Sequence, residues 1–163
     1  MTPRTDTHLE LYLRTQTPAP ISRRLAALRS ELAALALDHG WSFGVTFWPT
    51  KIEFAPRGSR DSIAHHVYDL VTEWAARNGA SLDPAFETRR CYSWETGEPY
   101  EALVLPVACL VVERDGDLAS VYPHCDETGV HTIAEAITAL QTTEQPRRHG
   151  RADESSKPVR TTP

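Results

Sequence analysis

Lysine is nearly missing from this chain: of 17 cationic residues, only Lys51 and Lys157 are lysines. Long apolar runs are missing too. The longest, Ala102 to Val112, has 11 residues and is too short to cross a bilayer as a helix, so no membrane association is expected. The first residues, Met1-Thr2-Pro3-Arg4-Thr5-Asp6, lack the apolar stretch of a secretory signal. Three cysteines without close spacing form neither a disulfide framework nor a CxxC knuckle, which points to a reducing cytoplasm. GxGxxG, GxxxxGK and a serine-centred nucleophile elbow are absent, which removes the short signatures of dinucleotide, phosphate-loop and hydrolase chemistry. No nucleophile, base and orienting group can be assembled from the linear order. The residues therefore predict a protein that is not an enzyme and takes no cofactor.

What is there suits a globular domain. The chain has 163 residues, 40% apolar and 24% charged, enough for one real core. Its net charge of −5 is unevenly spread: residues 146–163 carry +3 and the remainder −8. The expected division is a disordered N-terminus at 1–7, a single α+β domain at 8–144 and a basic disordered tail at 145–163.

Leu9, Leu11 and Leu13 alternate with polar residues as in a half-buried strand. Ile21, Leu25, Leu28, Leu32 and Leu35 then form one helical stripe, closed by His39-Gly40. Phe43, Val45 and Phe47 alternate, but the phase flips to Ile52 and Phe54 after Pro49-Thr50, so residues 43–55 read as one bulged strand or a hairpin. Ser59 is the expected cap of a second helix with the stripe Ile63, Val67, Leu70 and Trp74, ended by Asn78-Gly79. Phe86–Trp94 and Leu103–Val112 follow as strands, the second with Pro106 at an edge or bulge. Asp115-Gly116 turns it into Leu118–Tyr122, and Thr132-x-x-Glu135 opens a last helix. The fold expected is α+β, a mostly antiparallel sheet with two to three helices packed on it. A turn at Pro49-Thr50 would make the first half a ferredoxin-like unit.

Three groups of residues invite a function. His124, Cys125, Asp126 and His131 cluster near the last helix, but no local pair at metal-ligand spacing supports them, so no metal is assigned. Arg23, Arg24 and Arg29 on the first helix, with Arg57 and Arg60 before the second, are the cations available to nucleic acid; on the wheel only Arg23 points straight outward. The second helix sets His65, Asp69, Thr72 and Glu73 outward, a face that repels phosphate, and a strand-like stretch between the helices leaves no helix-turn-helix to read. Trp94 and Tyr100 are candidate interface anchors beside a strand edge, for a homodimer or another protein.

The run from Trp74 to Arg89, then Thr96-Gly97-Glu98-Pro99-Tyr100, Val104 to Leu110 and Asp115-Gly116-Asp117-Leu118 resemble a group of small haloarchaeal proteins labelled helix-turn-helix domain proteins. The resemblance spans roughly residues 8–141 and rests on turns, a strand and a Trp-ended helix rather than on catalytic residues. It implies DNA binding and transcription regulation, with Arg23, Arg24, Arg29, Arg57 and Arg60 as phosphate contacts. The competing expectation is an interaction or dimerisation module that uses Trp94 and Tyr100 and binds no nucleic acid.

Overall fold

Alternation at Leu9, Leu11 and Leu13 becomes strand β1 (Thr7–Arg14), whose every second side chain is buried. A computed structural model describes residues 6–53, 62–83 and 85–142. After β1 come α1 (Ala19–His39), β2 (Ser42–Trp48), β3 (Lys51–Glu53), α2 (Ile63–Asn78), β4 (Glu87–Tyr92), β5 (Pro99–Val104) and β6 (Ala108–Arg114). The order ends with β7 (Asp117–Tyr122), β8 (His124–Asp126) and β9 (Gly129–His131), followed by helix α3 at residues 133–142. The fold is α+β, with three helices and mostly antiparallel sheets.

The strands form a four-stranded sheet ordered β2-β1-β6-β7, a three-stranded sheet ordered β3-β5-β4 and the β8-β9 hairpin. β1 and β2 are direct parallel neighbours joined by the α1 crossover, while β1–β6 and β6–β7 are antiparallel. This rules out the ferredoxin-like first half, because that arrangement splits the two strands of a βαβ unit with a third. A polar network reinforces the parallel register: His8 contacts Ser42 Oγ at 2.6 Å and Glu10 at 2.7 Å, and Thr46 Oγ1 donates to Glu10 at 2.6 Å. Gly44 lies beneath it, where a Cβ would come within 2.5 Å of Glu10 Oε1.

Residues 43–53 are neither one bulged strand nor a hairpin, since β2 and β3 belong to different sheets; residues 54 and 55 lie outside the described residues. The phase flip at Pro49-Thr50 is the chain changing sheets. Leu103–Val112 likewise divides: β5 ends at Val104 and β6 begins at Ala108 in the other sheet. Pro106 cannot donate to a ladder, so pairing stops there. The two crossing points are bonded to one another, with Leu105 N donating to Thr50 O at 2.8 Å and Trp48 Nε1 to Pro106 O at 3.1 Å.

Each face of the four-stranded sheet covers its own core. On one, Leu9, Leu11, Leu110 and Val112 meet Leu32 and Leu35 of α1 and Ile137 and Leu140 of α3. The α1 stripe falls where the spacing placed it, and Gly40 closes the helix in the left-handed conformation at φ 73°. The other core joins Trp48, Cys109, Val111 and Val121 to Val67, Val71 and Trp74 of α2 and to Phe86 and Leu103.

α2 is turned from its expected setting. Ala64, Val67, Val71, Trp74 and Ala75 face inward, whereas Ile63 and Leu70 are exposed. Ala64 and Ala75 let the helix approach closely, which two branched side chains in their place would prevent. Its N-cap is Ser62, whose hydroxyl accepts from His65 N; Ser59 lies outside the described residues. His65 is buried rather than outward, with Nδ1 on Ser62 Oγ at 2.6 Å and Nε2 on Glu53 O at 2.9 Å. The Ser62 hydroxyl donates to Nδ1, so the ring is the Nε2–H tautomer that donates to Glu53.

The Asp115-Gly116 turn closes β6–β7 with φ 54° and 86°, the two positive values that a type I′ hairpin needs. The Thr132 hydroxyl accepts from Glu135 N at 3.2 Å, half of the expected capping box, but the Glu135 carboxylate turns to His131 instead. Leu110, fully buried between α1 and the strands, is expected to lose about 2–5 kcal/mol of stability on truncation to Ala. Trp94→Ala, at a site 99% exposed in the β4–β5 loop, is expected to change it by less than about 0.5 kcal/mol, both variants being compared with the parent by urea titration.

Candidate functional site

Arg23, Arg24 and Arg29 are all exposed on α1, whose first turn holds no acidic residue and which carries none before Glu31. Arg29 also borders a cleft of about 320 Å³ between α1 and the ends of β1 and β2, shared with Arg14, Thr15, Thr17, Ser22 and Phe47. Arg14 donates from its guanidinium to Leu105 O, so part of its reach is committed to the sheet junction. Arg57 and Arg60 lie outside the described residues. On α2 Asp69 and Glu73 are exposed, Glu73 pairing with Arg77 at 3.6 Å one turn on, while His65 is withdrawn into the core.

Trp94 and Tyr100 are set apart. Trp94 stands fully exposed in the loop, while Tyr100 lies in β5 opposite Cys91 with the Lys51 ammonium 5.8 Å from its ring centre. Cys91 and Cys125 are half-buried, and Cys109 is fully buried in the core.

The β8–β9 hairpin gathers a cluster that the linear spacing does not advertise. His124 and Asp126 are two apart on one strand and share a face, and the ladder places His131 directly across from His124. The ligand atoms of the three side chains lie within 4.8 Å of one another. Cys125 points away, with Sγ toward Asp83 O at 3.5 Å, and its backbone pairs with Ser81. Asp126 Oδ1 accepts from the Thr128 hydroxyl at 2.6 Å, from Thr128 N at 2.8 Å and contacts His131 Nε2 at 2.9 Å. The Thr128 hydroxyl, then His131 and the Thr128 amide, hold the carboxyl well below the usual carboxylate range. Asp126 in turn raises His131 above the usual imidazole value. His124 Nδ1 donates to Val121 O at 2.6 Å, its ring meets Trp74 edge-on at 5.1 Å, and its Nε2 lies 3.9 Å from Asp126 Oδ2.

His124, Asp126 and His131 stand in the sequence without a metal-ligand spacing between any two of them. The available signal was His-x-Asp on three strand residues, then Glu127-Thr128-Gly129 as a turn bringing a histidine back opposite the first.

Residues 1–145 match a family described as helix-turn-helix domain, and the chain belongs to that family. No curated protein and no solved structure matches the chain. Within the described residues the two helices before the meander are separated by β2 and β3, so α1 and α2 are not joined by the short turn of a helix-turn-helix pair.

The burial of Cys109 pushes its thiol up to about 12. Two thiols of the native protein, Cys91 and Cys125, are therefore expected to react with a thiol-specific chromogen near neutral pH. The third should appear only on denaturation; prompt reaction of all three would show that the core opens.

Proposed function

We propose that this protein is a cytoplasmic DNA-binding regulator that acts in transcription and whose first helix contacts the phosphate backbone. Membership of the helix-turn-helix domain family over residues 1–145 carries this reading. The α1 surface supports it, because Arg23, Arg24 and Arg29 are solvent-exposed on a segment free of carboxylates. Phosphate contacts of this kind position a protein on the duplex without reading sequence. Arg57 and Arg60 extend the proposed cationic set in sequence, and the basic tail adds nonspecific attraction. A lysine-poor, acidic body agrees with a haloarchaeal source, where concentrated salt shifts the weight of recognition toward base contacts and DNA shape.

The test is binding to labelled genomic DNA fragments across a salt series, with the protein lacking residues 145–163 and the triple variant R23E/R24E/R29E in parallel. Selective binding should survive loss of the tail. The triple variant should bind more weakly and lower the slope of log affinity against log salt by about 2–3, at about 0.9 per phosphate contact. An unchanged slope removes α1 from the interface, and binding that disappears with the tail reduces it to nonspecific attraction.

A second reading has one observation of its own. β4 is an edge strand with exposed residues on both faces, and it leads into the fully exposed Trp94. Such an edge can pair with a second copy. Light scattering on the full chain would then give a dimer mass that falls toward the monomer in Trp94→Arg; a monomer at high concentration counts against it.

A further inference from the structure

The two histidines of the β8–β9 hairpin are oriented in the same way. His124 commits Nδ1 to the Val121 carbonyl at 2.6 Å, and His131 turns Nδ1 toward Glu135 Oε1 at 3.4 Å. Each therefore presents Nε2 to the Asp126 carboxylate between them, at 3.9 Å from Oδ2 and 2.9 Å from Oδ1. A ring nitrogen held by a backbone carbonyl or a carboxylate while its partner nitrogen faces a shared point is the orientation found in metal-binding histidines.

The His124 contact discriminates further. With Nδ1 protonated and donating, a neutral ring has a bare lone pair on Nε2, facing an anionic oxygen. A separation of 3.9 Å is too long for a hydrogen bond to relieve that repulsion. It is within the span of two metal–ligand bonds of about 2.0–2.2 Å each. The geometry points to a binding site for one divalent transition-metal ion of the zinc class, held by His124 Nε2, His131 Nε2 and the Asp126 carboxylate.

Two imidazoles and one carboxylate select such an ion over magnesium or calcium, which prefer oxygen ligands throughout. Three protein ligands leave a fourth position to water, and the partial exposure of Asp126 and His131 gives that water access. The setting is firm on three sides. Trp74 of α2 abuts the His124 ring, Ser81 holds β8 through paired backbone bonds of 2.8 Å, and Glu135 reaches in from the first turn of α3. Cys125 takes no part, because it lies on the opposite face of β8.

The test uses the full chain without an affinity tag, stripped with a chelator and titrated by calorimetry with zinc chloride and, separately, by visible absorption with cobalt chloride. One equivalent should bind, with cobalt bands typical of low coordination number. His131→Ala and Asp126→Asn should each weaken zinc at least about 100-fold, Glu135→Gln about 10–100-fold, and Cys125→Ser should leave it unchanged. Circular dichroism in chelator checks that each variant is folded; because His124 touches Trp74, the variants at 126 and 131 on the hairpin carry the decision. No saturable binding by millimolar zinc, or equal binding by the folded 126 and 131 variants, overturns the proposal. The outcome is independent of DNA binding, since none of these residues lies on α1.

Discussion

The indole of Trp48 donating to the Pro106 carbonyl holds together the place where this chain twice changes sheets. β2 leaves the four-stranded sheet at Trp48, and β6 enters it just after Pro106. Around that bond, Thr15 N donates to Trp48 O, Arg14 N to Val107 O and Leu105 N to Thr50 O, so both crossings share one ladder of backbone bonds. Trp48 is itself buried, stacked on Tyr12 at 5.0 Å and edge-on to Phe86 at 6.0 Å. A buried indole N–H without an acceptor would cost about 1–3 kcal/mol, and a proline carbonyl in a break between strands is free to accept it. The proline that ends one ladder thus supplies the acceptor that fastens the next.

This junction explains where the sequence could be read and where it could not. α1 was legible because five leucines and isoleucines on one stripe leave a single face to bury, and the β6–β7 turn because Asp115-Gly116 suits few other conformations. The breaks at Pro49-Thr50 and Pro106 were visible as irregularities, yet a phase flip or a proline says only that pairing changes. Whether the chain bulges, folds back or crosses to another sheet depends on partners more than 50 residues away in sequence, such as Trp48 and Pro106. α2 misled for a different reason. Leu70 and Ile63 outweigh alanine on any hydrophobic scale, but close packing rewards fit, and Ala64 with Ala75 admits the helix to the core. The cluster at His124 was half legible: its residues were named, and the hairpin register that makes neighbours of 124 and 131 was not.

Family membership and the fold bear on DNA contact in different ways. The family is described as a helix-turn-helix domain, whereas among the described residues the chain order places strands between α1 and α2. α1 is a crossover helix whose stripe is buried at Leu32 and Leu35 and half-buried at Leu25 and Leu28, while Arg23, Arg24 and Arg29 stay exposed. α1 and α2 cover opposite faces of the four-stranded sheet, so Asp69 and Glu73 lie across the sheet from the α1 arginines and do not border that surface.

The arginine surface and the histidine cluster share a physical path, and its form limits what it can transmit. Glu135 joins His131 to the start of α3, and Ile133, Ile137 and Leu140 of α3 share a core with Leu32, Leu35 and Ala36 of α1. Those contacts are on the C-terminal half of α1, whereas Arg23, Arg24 and Arg29 occupy the N-terminal half. A perturbation at the hairpin reaches the arginines only by moving the helix as a rigid body against β1, whose leucines are fully or nearly buried beneath it. Close-packed interiors resist such displacement unless a second packing of similar energy exists, and the continuous α1 stripe offers one face and one register. The cluster is therefore tied to the hairpin and, through Glu135, to the first turn of α3, while the charge presented by α1 is set by its own sequence.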